Sequence, residues 1–209
     1  MEELKSLNRR SFLRNLSTIG GALALSQLPQ LVQARPSKDV KITILHTNDV
    51  HSRIEPFPMD GSRFQGMGGV ARRSTLIQQI RNTEPNVLLF DAGDMLQGTP
   101  YFNMFDGEVE LTLMSKLKYD AGTFGNHEFD NGISGLLKHF DKAAFPFLTS
   151  NYDFSQTALA GKTKEYIILE KQGVKIGVFG LCIDVEGLVD KNNYAGMQYL
   201  DPLAVANKI

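Results

Sequence analysis

Asp120-Ala-Gly-Thr-Phe-Gly-Asn-His-Glu-Phe-Asp-Asn-Gly132 is the stretch whose reading decides the fold. Its first part, Asp120–Phe124, is short and reads as a strand. The run after it, Ile133–Phe140, has helical spacing. Between them Gly125–Gly132 packs amides, an imidazole and two carboxylates between two glycines. A polar cluster on a strand-to-helix turn is where α/β proteins place their chemistry. Asn126 can offer a neutral oxygen to a metal. His127 can exchange a proton near neutral pH, and Asp130 can turn back to orient it. A plain polar turn, with Asp130 and Asn131 capping a helix, accounts for the same residues. Two clusters upstream weigh against that plainer account.

The flanking sequence repeats the pattern. Val40–His46 alternates into an apolar run and predicts a first strand, followed by a loop over Thr47–Phe64. Gly69–Arg81 has helical spacing through Val70, Leu76, Ile77 and Ile80, with Arg72, Arg73 and Gln78 outward. Asn86–Asp91 predicts a buried strand. Ala92–Asp106 follows as a loop, then a helix over Gly107–Lys118. Asp120–Gly125 is the third strand, Asn131–Ala143 the third helix and Phe145–Ser150 a fourth strand. Alternation of this kind predicts an α/β protein with a largely parallel or mixed sheet. Glu165–Glu170 and Val174–Ile183, joined by Lys171-Gln172-Gly173, predict a hairpin of a second sheet. Asp201-Pro202 predicts a helix start.

Each charged loop follows the carboxyl end of a strand. After the first strand comes Asn48-Asp49-Val50-His51, and residues two apart on an extended end share a side. Asp49 and His51 can then reach one ion together. After the second comes Asp91-Ala92-Gly93-Asp94, where Gly93 turns the backbone and Asp94 projects over the strand ends. Asn126-His127 follows the third. Carboxylate, imidazole and amide together suit Mn²⁺, Zn²⁺, Fe²⁺ or Co²⁺. A shared carboxylate can bridge two ions about 3.5–4 Å apart, the spacing that clamps a phosphoryl group. Asp94, in the middle cluster, is the candidate bridge.

The remaining residues have plainer readings. The 209 residues suffice for one domain with a core, and a formal net charge of −1 points to no nucleic acid. Cys182 is the only cysteine and lies in an apolar run, so it reads as a buried, inert thiol. His46 reads as structural, Arg53 and Glu55 as a solvated loop, and Gln97-Gly98-Thr99 as loop shape. Phe102, Phe105, Phe145 and Phe147 read as core.

The N-terminus reads as a leader. Lys5, Arg9, Arg10 and Arg14 precede a modestly apolar Leu16–Leu28, and Val32-Gln33-Ala34 offers a cleavage site. Asn8-Arg9-Arg10-Ser11-Phe12-Leu13-Arg14 resembles a twin-arginine signal. Residues 1–34 are therefore expected to be a signal peptide taken by the twin-arginine export machinery. The mature protein is expected in the periplasm or secreted, with no stable membrane anchor.

The ordered set Asp49-x-His51, Gly93-Asp94 and Gly125-Asn126-His127-Glu128 resembles the metallophosphoesterase superfamily. The longer strings I-L-H-T-N-D-V-H-S-R-I-E-P, G-G-V-A-R-R, D-A-G-D-M-L-Q-G-T-P and G-N-H-E-F-D-N-G resemble its 5′-nucleotidase family. The resemblance implies a two-sheet α/β sandwich, with residues 40–209 as the N-terminal part of the metallophosphoesterase domain. It implies hydrolysis of phosphate esters, usually nucleotides, by a metal-bound water on a dinuclear site of Mn, Zn, Co or Fe. Asp49 and His51 match ligands of one ion, Asp94 the bridge and Asn126 a ligand of the other. His127 and Asp130 match the catalytic pair. The family completes its metal site with three later histidines, whereas His139 is the only histidine after His127 here. That departure implies the front part of a longer protein. It leaves two rival readings: a sulfur-compound hydrolase on the same scaffold, and an inactive chain with a binding or structural role.

Overall fold

The computed structural model describes residues 39–209. The leader expected over residues 1–34, with its twin-arginine motif, lies outside the described residues. Val40–Ile209 forms one compact unit.

Three parallel strands carry the site. They are β1 (Thr43–Thr47), β2 (Val87–Asp91) and β3 (Ala121–Gly122), in the order β1-β2-β3. The register pairs Thr47 with Asp91 and Asp91 with Gly122. Parallel strands in this register end at one edge, so the three charged loops emerge side by side. Between the strands lie α1 (Val70–Thr83), α2 (Pro100–Phe105) and α3 (Glu108–Lys116). β2 is covered on both faces, and Leu88 and Leu89 are sealed from solvent. Its continuous apolar run is what a central parallel strand requires.

Several elements differ from the sequence expectation. Helix α2 occupies part of the expected loop Ala92–Asp106, started by Pro100 at its first position. Six residues are too few to show a helical period. β3 has two residues rather than six, although Thr123 N–H still donates to the Asp91 carbonyl at 3.0 Å. The expected fourth strand at Phe145–Ser150 continues the sheet through single bridges, Gly122 with Phe147 and Leu148 with Lys164. Pro146 lies in that segment and has no N–H to add to a ladder. The third helix shortens to α4 (Gly132–Leu137), with a separate 3₁₀ turn at Phe140–Lys142. Gly132 and Gly135 weaken it as a helix.

The second half is mostly antiparallel. β4 (Tyr152–Asp153) pairs with β7 (Gln198–Tyr199), and β5 (Tyr166–Lys171) forms the expected hairpin with β6 (Val174–Phe179). Asp201 caps α5 (Pro202–Lys208) by accepting the Ala204 N–H at 2.7 Å. Among the described residues, no helix is long and apolar enough to cross a membrane.

The core runs beneath the loop edge. Phe124 and Phe129 flank the Gly125–Glu128 turn and are 1% and 0% exposed. Phe124 stacks on Phe147 with ring centroids 4.7 Å apart and meets Phe129 edge-on at 5.8 Å. The polar turn is therefore pinned at both ends by buried rings. Phe102, Phe145 and Phe147 are core as expected, but Phe105 is 39% exposed at the end of α2. His46 is exposed on β1 and borders an apolar cavity of about 300 Å³ with Phe90, Val178 and Leu181. Arg73 departs most from expectation. It does not point outward with Arg72 but turns in from α1, its Nε buried.

Candidate active site

The loop after β1 is built from backbone conformations that most side chains avoid. Asp49, His51 and Ser52 all have positive φ, at 52°, 47° and 52°. Asp and His tolerate this region better than bulky residues do. The loop is held by N–H bonds from Asp49 to the Gly93 carbonyl, His51 to that of Asp94, and Ser52 to that of Met95, each at 3.0 Å. It therefore runs as an extra strand of contacts along the second loop. Asp49 and His51 approach each other through this left-handed turn, not through alternation on an extended end. His51 Nε2 lies 3.8 Å from Asp49 Oδ1.

The second and third loops touch backbone to backbone. Gly93 has φ 100°, and a Cβ there would collide with the Gly125 amide nitrogen. A Cβ on Gly125 would collide with the Asp94 carboxylate. Both positions need glycine because the loops approach this closely. His127 N–H donates to Asp94 Oδ1 at 3.0 Å, which aims the carboxylate over the strand ends.

Glu128 organises both loops, and sequence reasoning assigned it no role. It is 2% exposed. Its Oε2 accepts the N–H groups of Gly125 at 2.6 Å and Asp94 at 3.0 Å. Its Oε1 accepts those of Met95 at 2.9 Å and Leu96 at 3.2 Å. Burial pushes this carboxyl up to about 7, against four N–H groups that favour its charge. Asp91 plays a lesser version of the same part. It accepts from Thr47 Oγ1 at 2.6 Å and from Gly93 N–H at 2.9 Å. Asn193, also unassigned from sequence, donates to the Asp130 carbonyl at 2.9 Å. Most of these contacts join distant parts of the chain, so no local motif signals them.

The side chains converge as follows. His51, Asp94 and His127 each offer a ligand atom, and these atoms lie within 4.8 Å of one another. The His51 and His127 rings meet edge-on with centroids 5.0 Å apart. His127 Nδ1 lies 2.8 Å from Asp130 Oδ2. A carboxylate only accepts, so Nδ1 carries the proton and Nε2 faces the cluster. Partial burial disfavours the imidazolium. The Asp130 hydrogen bond and the charges of Asp130, Asp94 and Glu128 outweigh it, so the His127 pKa is raised. Asp49 is the more exposed member, and Asn126 is half-buried in the turn beside His127. His139 follows the end of α4 near Asp106 and is not part of the cluster. Cys182 is buried with its thiol pushed up to about 11 by desolvation, which suits an inert role.

The His51 imidazole and the Asp94 carboxylate at this spacing suit a divalent transition ion, with the His127 ring beside it. Beside them opens a cavity of about 450 Å³, bordered by Asp49, His51, Arg53, Phe57 and Arg73. That volume suits a small organic ligand.

Comparison with known proteins agrees with this geometry. The model of calcineurin-like phosphoesterases matches residues 42–200. Human 5′-nucleotidase is 45% identical over 148 residues, covering 67% of this chain and 26% of that protein. The snake venom 5′-nucleotidase of Naja atra is 44% identical over 147 residues, covering 67% and 28%. The chain thus spans about a quarter of the length of these relatives. The crystal structure of a 5′-nucleotidase precursor from Thermus thermophilus superposes with TM-score 0.72 at 34% identity, covering 80% of this chain and 33% of that one. A sulfate thiohydrolase of the same genus has TM-score 0.66 at 16% identity, covering 81% and 41%, and shows the fold alone. The family match spans every loop that carries a donor, and the chain belongs to the calcineurin-like phosphoesterases.

Proposed function

We propose that the protein hydrolyses phosphate esters of nucleotides, in the manner of a 5′-nucleotidase, with two divalent ions at the strand edge. The observation that carries this is the convergence of His51, Asp94 and His127 beside a cavity of ligand size. The similarity to named 5′-nucleotidases supports the substrate class. Divalent ions here would supply Lewis-acid activation of the phosphoryl group and of the attacking water. Asp49 and His51 would hold one ion, Asp94 would be shared, and Asn126 would serve the other. His127 presents Nε2 to the reacting group, steadied by Asp130 through Nδ1. From there it protonates the leaving oxygen or stabilises its charge. Export to the periplasm or beyond completes the proposal, supported by the leader sequence and by a venom relative.

The roles separate under mutation. His127→Ala should keep bound manganese and lower turnover of a nucleoside monophosphate by about 10²–10⁴-fold. Asp94→Ala should lose both metal and activity. Bound metal per chain and initial rates with added Mn²⁺ measure this. Loss of metal in His127→Ala, with retention in Asp94→Ala, would make His127 a ligand and Asp94 dispensable.

A further inference from the structure

Behind the loop that carries His51 lies a small cavity, apolar over most of its lining but edged by buried polar groups, that the proposed reaction does not use. It measures about 10 Å³ and is bordered by Ser52, Arg73, Asp91, Glu110 and Met95. Four buried atoms around it have no hydrogen-bond partner among the described residues. They are Ser52 Oγ, Arg73 Nε and both carboxylate oxygens of Glu110. Ser52 is 0% exposed and Glu110 is 3% exposed. Buried polar groups are almost always paired, and a lone buried carboxylate is costly. The cavity has the size of about one water molecule, and such waters typically make about three hydrogen bonds. One water there can donate to Glu110 and Ser52 and accept from Arg73 Nε–H. It would link α1, α3 and the loop after β1 at one point.

Arg73 borders both this cavity and the cavity of about 450 Å³ beside Asp49 and His51. A guanidinium has five donors in a rigid fork. With Nε sealed on the small-cavity side, the terminal N–H groups are those left for the larger cavity. We infer that Arg73 is an anion-contact residue of this site, presented to it by Glu110 and Ser52 through one buried water. Its ligand is a phosphate oxygen of the substrate, which the flat fork suits better than a lysine does. Glu110 and Ser52 are positioning residues, since they act only through Arg73. This deepens the phosphoesterase reading.

Inorganic phosphate is the probe, measured as a competitive inhibitor of p-nitrophenyl phosphate turnover and by direct calorimetry on the full, manganese-loaded protein. Arg73→Gln should weaken phosphate roughly 10- to 100-fold, the effect of losing a hydrogen bond to a charged group. It should raise KM more than it lowers kcat, with bound manganese unchanged. Arg73→Lys should recover part of the affinity, since the charge returns without the fork. Glu110→Gln should weaken phosphate less than Arg73→Gln does. Unchanged phosphate affinity in a folded, metal-loaded Arg73→Gln protein would overturn the inference. So would a high-resolution structure of the unaltered protein with the small cavity dry, a measurement that needs no variant to fold. Calorimetry separates the two claims. If phosphate binds and Arg73→Gln abolishes binding while no ester is turned over, the contact stands and the hydrolase reading falls.

Discussion

Asp91 carries a cost that its neighbours do not remove. It is 3% exposed. Burial pushes its carboxyl from 3.8 to about 6, against bonds from Thr47 and Gly93 and the charge of Arg73. The folded chain therefore keeps this proton where the unfolded chain has released it. Stability must fall as pH rises from about 4 to about 6 and be indifferent to this group outside that window. Asp91→Asn keeps the shape, still accepts from Gly93 and removes the ionisation. Metal-free variant and parent should melt alike near pH 4. The variant should gain as pH rises towards about 6 and level off above it, by at most about 3 kcal/mol for a shift of this size. Parallel melting curves across that range would show that Asp91 is not held protonated. This behaviour was not legible in the sequence, where Asp91 is one acidic residue among several in D-A-G-D. The approach of His51, Asp94 and His127, and the pairing of His127 with Asp130, were legible, since these polar residues follow three successive strands and have donor types suited to a metal or a proton. Glu128, Arg73 and Asn193 were not, because most of what surrounds them is set by packing between segments far apart in the chain.

The elements show which local signals survive folding. The Lys171-Gln172-Gly173 turn was readable because only a few backbone shapes close a two-residue hairpin. Gln172 and Gly173 have φ of 50° and 81°, and Lys171 pairs with Val174. Two successive positive φ values suit the turn in which Asn-Gly is preferred. Gln172→Asn should therefore stabilise the folded chain by about 0.5–1 kcal/mol, since Asn adopts this region at lower cost. Thermal melts at one pH would show it. A destabilised variant would mean that the Gln172 side chain makes a needed contact. Helix α1 was also readable, from the spacing of Val70, Ile77 and Ile80, although Leu76 is 57% exposed. Helix α2 and the strand at Phe145–Ser150 were misread for opposite reasons. The first is too short to display a period, and the second has the right pattern but a proline that prevents a full ladder.

At the scale of the molecule, the parallel order of three strands gathers donors from three separate loops, so the site exists only once the sheet has formed. That dependence fits the proposed route of export, since a twin-arginine signal directs folded cargo. Replacing Arg9 and Arg10 together with lysine should leave the precursor in the cytoplasm, as fractionation and blotting would show. Normal export of that variant would place the protein on a route that carries unfolded chains. The same gathering raises a question of precision, because two loops that fluctuate independently would blur the distance between Asp94 and His127. Glu128 Oε2 accepts N–H bonds from both the Asp94 loop and the Gly125 turn. A displacement of that oxygen carries both loops with it. Thermal motion then becomes largely common-mode, shifting Asp94 and His127 together across the surface while their separation stays nearly constant.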